Sequence, residues 1–135
     1  MSPMAQISLG TKGESKLVVT NEVAIDFLGM ESARVLGIPW LIGHLEFTAR
    51  DAVKPLLADG LDTVGTHVDV RHLAATPMGM TVTFHAEVVA VEDRRVRFKV
   101  EAFDEKEKVA EGTHERFIID VKRFASRLQA KKAGQ

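Results

Sequence analysis

The chain has 135 residues, 45% of them apolar and 27% charged, the size and composition of one soluble domain with a real core. Its 18 Lys and Arg against 19 Asp and Glu leave a net charge of −1, which argues against nucleic-acid or acidic-membrane binding driven by bulk charge. There is no Cys, which excludes disulfides, thiolate zinc sites, iron–sulfur clusters and a Cys nucleophile, and fits a reducing compartment. No apolar run nears the ~20 residues of a membrane span. Residues 1–13 lack the pattern of a secretory signal, so a soluble cytoplasmic domain is expected.

Residues 1–15 are polar and read as a flexible N-terminus. Lys16–Val23 is β-branched and reads as a first strand, followed by a mixed segment with a short strand expected at 33–36. Pro39 opens a long helical pattern at a first-turn position, where its missing N–H costs nothing. Leu41, Ile42, Leu45, Ala49, Ala52, Val53, Leu56 and Leu57 form the apolar stripe. Pro55 predicts a kink or an early last turn, and Gly60 the stop. From Thr63 the period becomes two, with Val64, Thr66, Val68, Val70 and His72 on one face and Asp69 and Arg71 on the other. After a turn at 76–79, Met80, Val82, Phe84, Ala86, Val88 and Ala90 alternate with polar residues. A hairpin turn at 92–94 leads to Val96, Phe98 and Val100, and a polar turn at 104–106 leads to a last strand at 109–119. The basic stretch carrying Lys122, Arg123 and Arg127 reads as a short surface helix. The folded domain is expected over 16–128, with a tail at 129–135.

One long helix against a run of antiparallel strands is an α+β arrangement. A curved antiparallel sheet wrapped around one long central helix is the hotdog fold. Long strands with an uncovered edge commonly pair with a second copy. A homodimer is therefore expected, with a tetramer as a further level of assembly.

Glu46 is the most informative residue. It lies about 40° round the helix from Ile42, inside the apolar stripe, where an idle carboxylate is costly. The plain alternative is an ion pair with Arg50 one turn on. His72 raises the same question near the end of a strand, on the face of Val68 and Val70. A Glu and a His converging on one cleft suffice for general-base hydrolysis through an activated water. His114 and Arg116 share a face of the last strand with Ala110, Gly112 and Ile118, and Arg116 could bind an anion or form a surface salt bridge. Gly65 interrupts a β-branched strand and marks a bulge or a close backbone approach by a ligand. His67 and His72 do not share a face, so no metal site is expected, and no dinucleotide or phosphate-loop motif predicts a cofactor.

The stretch from Thr63 to Gly79, with its VGT and H-x-A-A-T-P-x-G segments, and the downstream GTHER at 112–116 resemble the fluoroacetyl-CoA thioesterase family of hotdog proteins. The resemblance covers about residues 17–128. It implies thioester hydrolysis, an acyl-CoA substrate and a working dimer. Residue by residue, the family's catalytic glutamate falls on Glu46, its histidine on His72, its active-site arginine on Arg116 and its strand glycine on Gly65. Its catalytic threonine falls at position 38, which is Ile38 here, so a hydroxyl is missing. Thr48 and Thr76 lie elsewhere in the pattern. The family's lid phenylalanines fall on Gly29 and Ser32, with only Phe27 close by, a departure that removes the basis for fluoroacetyl selectivity. The expected function is hydrolysis of a short or medium acyl-CoA. The alternatives are an acyl-CoA-binding module without turnover and, less favoured, a hydratase-type enzyme.

Overall fold

The computed structural model describes residues 7–134. The elements are β1 (Lys12–Val18), α1 (Ile38–Val53), β2 (Leu61–His72), β3 (Thr81–Glu92), β4 (Arg95–Phe103), β5 (Lys108–Asp120) and α2 (Val121–Lys132). The strands form one antiparallel sheet in the order β1-β3-β4-β5-β2. The sheet curls around α1, which gives the expected hotdog fold. No helix among the described residues is long and apolar enough to cross a membrane.

Leu41, Leu45, Thr48, Ala49 and Val53 of α1 are buried against the concave face of the sheet. Val82, Phe84, Ala86 and Val88 of β3 and Val96, Phe98, Val100 and Ala102 of β4 supply that face. Each of the two phenylalanines stabilises the fold by about 1.5–3 kcal/mol through burial. The α-helix ends at Val53, two residues before Pro55, and a 3-10 turn at Lys54–Leu56 completes the descent. Pro55 therefore terminates the helix rather than kinking it, because a proline cannot donate the next helical hydrogen bond. The β3–β4 hairpin closes through Asp93 and Arg94, with Asp93 at φ 56°.

Three sequence expectations are corrected. The first strand is Lys12–Val18, which pairs with β3, and Asn21–Val23 is a 3-10 turn. Residues 12–15 thus belong to the sheet although they are polar, while residues 1–6 of the expected flexible segment lie outside the described residues. Gly13 is held so close to α1 that a Cβ there would sit 2.8 Å from both Ala52 Cβ and the Thr48 carbonyl oxygen. The short strand at 33–36 reduces to two isolated bridges, Ala24 with Leu36 and Val35 with Pro77.

The third correction concerns β2 and matters most for the site. Its register against β5 shifts between Gly65 and His67, so Thr66 is the extra residue of a bulge. An extra residue changes the parity of everything beyond it. Gly65 therefore faces inward with Arg116, whereas Val64 faces outward with Phe117. Val68, Val70 and His72 return to the inner face opposite His114, Gly112 and Ala110. A similar shift between Val88 and Ala90 moves Ala90 off the inner face of β3.

Candidate active site

α1 carries Glu46 across the inner face of β2 and β5, where Arg116 is waiting. Glu46 Oε2 accepts a hydrogen bond from Arg116 Nη1 at 3.2 Å. Arg116 is only 5% exposed, and Thr63 on β2 clamps its other edge. Nε donates to Thr63 Oγ1 at 2.7 Å, and Nη2 donates to the Thr63 carbonyl at 2.8 Å. Burial pulls the guanidinium pKa down and Glu46 opposes it, yet a guanidinium remains protonated. A buried charge held in this way is costly without its partner. The Glu46–Arg50 pair does not form. Arg50 instead holds Asp62 at 2.6 Å, and this contact keeps the Asp62 carboxyl below the usual carboxylate range.

Gly65 is the residue that lets Glu46 lie flat against β2. A Cβ at this position would collide with Glu46 Oε2 and lie 3.3 Å from His114 Cε1. The close backbone approach expected of this glycine is therefore made by the protein's own carboxylate. His114, 2% exposed, completes the cluster: Nδ1 meets the His67 carbonyl at 2.8 Å, and Nε2 lies 3.3 Å from Arg116 Nη1. Thr63 had no signal of its own in the sequence. Its role follows from the sheet register: Gly65 pairs with Arg116, and Thr63, two residues back on the same inward face, lies within reach of the guanidinium.

His72 does not join this cluster within one chain. It lies seven residues along β2 from Gly65, about 20 Å at the rise of a strand. There it lines a cavity of about 780 Å³ with Ile25, Phe27, Gly37, Ile38 and Trp40. His72 Nε2 is buried and has no hydrogen-bond partner among the described residues. Burial lowers the His72 pKa, with a hydrogen bond to the Ala74 backbone opposing it, so the ring is biased towards its neutral form. Within one chain, Glu46, Gly65 and Arg116 therefore form one group, and Ile38 and His72 line a cavity apart from it.

Thr48 and Thr76, the two threonines weighed as sources of the missing hydroxyl, are engaged elsewhere. Thr48 Oγ1 donates to the His44 carbonyl at 2.6 Å and meets Ser15 Oγ at 2.6 Å. Thr76 Oγ1 donates to Asp104 Oδ2 at 3.0 Å. Among the described residues no group of three His, Cys, Asp or Glu is placed to hold a metal ion.

A family model described as fluoroacetyl-CoA-specific thioesterase matches residues 18–122. The fluoroacetyl-CoA thioesterase of Streptantibioticus cattleyicolor is 37% identical over 101 residues, which span 75% of this chain and 73% of that protein. A solved fluoroacetyl-CoA thioesterase structure superposes with a TM-score of 0.83 at 32% identity, covering 93% of this chain and 97% of the other. A thioesterase superfamily member from Thermus thermophilus reaches 0.84 at 28% identity, covering 96% and 98%. Family match, relative and fold agree over nearly the whole domain: the chain belongs to the fluoroacetyl-CoA-specific thioesterase family.

Proposed function

We propose that this thioesterase hydrolyses short or medium acyl-CoA thioesters as a homodimer, with each active site shared by two subunits. The observation that carries this reading is the separation of the two groups along β2, a strand with a free edge. Thr66, His67, Val68 and Asp69 are exposed, and Val68 is 40% exposed although it faces inward. An exposed edge strand with an apolar residue invites pairing with another strand, and a two-fold axis makes that pairing self-complementary. An antiparallel β2–β2 pair with its two-fold axis at Asp69 keeps the inner faces together and, because the bulged Thr66 takes no place in the register, sets the partner subunit's His72 opposite Gly65. Glu46, Gly65 and Arg116 of one chain then meet Ile38 and His72 of the other. A cysteine-free chain suits a reducing compartment, and the cytoplasm is the proposed location.

In such a site the acyl group occupies the cavity beside Ile38 and Trp40. His72, biased towards its neutral form, takes a proton from water as the oxygen adds to the thioester carbonyl. Arg116 engages one Glu46 oxygen and leaves the other to hold or help deprotonate that water. Backbone N–H groups near Gly65 polarise the carbonyl, and collapse of the tetrahedral adduct breaks the C–S bond. The thiolate of CoA then receives the proton. None of these steps needs a metal or a cofactor.

The test is release of free thiol from a panel of acyl-CoAs, run beside a thermal-shift measurement of binding. Hydrolysis is the expected result. Binding without thiol release would favour an acyl-CoA-binding module, the reading that Ile38 in place of a threonine supports. The same assay decides what Ile38 does. Ile38→Thr keeps a β-branched residue at the start of α1 and adds a hydroxyl within the cavity of His72. It is expected to raise thiol release from a short acyl-CoA, whereas Ile38→Val is not. Equal rates for both would show that no hydroxyl is used at this position.

A further inference from the structure

From the geometry around Arg116 we infer that His114 is a positioning residue of the thioesterase site, held as the Nδ1–H tautomer so that its Nε2 lone pair aims Arg116 at Glu46. This rests on the reading of Glu46 as a site residue. The His67 carbonyl can only accept a hydrogen bond, so the 2.8 Å contact requires a proton on His114 Nδ1. The 3.3 Å contact with Arg116 Nη1 requires the opposite of Nε2, because a guanidinium can only donate. One ring satisfies both only when it is neutral, with its tautomer fixed. Burial, the largest influence on His114, lowers its pKa and favours that same neutral form.

The ring is also fixed in orientation. His114 stacks on the buried Phe98, with ring centroids 6.0 Å apart and planes inclined by 27°. Three groups thus determine where the guanidinium points. Thr63 fixes Nε and Nη2, His114 fixes the inner side of Nη1, and Nη1 is left facing Glu46 Oε2. Without His114, Thr63 still anchors the arginine, but nothing holds Nη1 in the plane that meets the carboxylate. The bulge at Thr66 is part of the same device. It brings Val68 and the His67 carbonyl into register with His114, and so presents the acceptor that sets the tautomer.

Two measurements test this. In nitrogen NMR of the wild-type protein at neutral pH, His114 is expected to show a protonated Nδ1 and an unprotonated Nε2, with the Arg116 Nε–H protected from exchange. The opposite tautomer, or a doubly protonated ring, would overturn the assignment whether or not the protein turns over. In the kinetic arm, His114→Asn retains a donor near Nδ1 but removes the acceptor facing Arg116. It is expected to lower kcat roughly 10- to 100-fold with little change in KM, and to speed exchange of the Arg116 Nη1 protons while the Nε–H, held by Thr63, stays protected. His114→Gln, whose amide oxygen reaches the Nε2 position, is expected to recover most of that loss. In a Glu46→Gln background, His114→Asn is expected to have no further effect on rate, since the two act as one unit. Equal losses in both backgrounds, or failure of Gln to rescue beyond Asn, would mean that His114 only supports the fold. A wild-type protein inert towards every acyl-CoA defeats the proposed reaction, and the NMR arm still decides the tautomer.

Discussion

Glu46→Gln is expected to lower kcat/KM for acyl-CoA hydrolysis by about 10²-fold or more, the usual worth of general acid–base catalysis. The change keeps shape and a hydrogen-bonding oxygen but removes the negative charge beside Arg116. Breaking a fully buried ion pair costs about 3–5 kcal/mol. The Glu46 side chain is 38% exposed, and Thr63 and His114 still engage the arginine, so the stability loss should fall below that range. His72→Ala is expected to produce a similar kinetic loss with a smaller effect on stability, because His72 Nε2 has no hydrogen bond to lose among the described residues. Thiol release and thermal unfolding measured on both variants check this. Wild-type rates in both would show the two residues to be structural.

Gly65→Ala is expected to disable the same site by packing rather than by charge. The new methyl group occupies the place of Glu46 Oε2. Arg116 is clamped by Thr63 and cannot follow, so the carboxylate swings away from both the arginine and the water it is proposed to hold. A displacement of about 1 Å at a reacting group can cost on the order of 10²-fold in rate. Overpacking at such a position also costs about 1–3 kcal/mol. Gly43→Ala is the control, since a Cβ at Gly43 meets nothing within 4 Å. In a helix interior that substitution should stabilise by roughly 0.5–1 kcal/mol and leave the rate alone. A Gly65→Ala enzyme with wild-type kcat/KM would contradict the contact between Glu46 and β2.

Much of this arrangement was legible in the residues. The stripe of α1, the alternation of β3 and β4 and the punctuation at Pro39 and Gly60 arise from periodicity and local backbone chemistry, which act over a few residues. Glu46 stood out because a carboxylate within an apolar stripe demands a partner, and Arg116 supplies one at 3.2 Å. The partner itself was not legible. Sequence spacing offered only Arg50, one turn away, as the plain alternative, whereas Arg116 comes from a strand seventy residues on. The bulge at Thr66 was hidden for a related reason: strict alternation assigns Val64 and His72 to one face, and only the pairing with β5 reveals the extra residue. Polar Lys12–Ser15 form a strand because backbone groups pair with β3, a contact that composition does not record. Thr63 and His114 acquire their roles only when β2 and β5 lie side by side.

Mixing two inactive variants tests the shared site most directly. Glu46→Gln and His72→Ala homodimers each carry one defect in every site. If a site takes Glu46 from one subunit and His72 from the other, a heterodimer concentrates both defects in one site and leaves the second intact. Random exchange of subunits should then restore about a quarter of the wild-type thiol-release rate, since half the dimers are mixed and each has one good site. Recovery near that level, absent when either variant is assayed alone, is the predicted result. No recovery after verified subunit exchange, or a protein that remains monomeric at micromolar concentration while hydrolysing acyl-CoA, would contradict a site built from two chains.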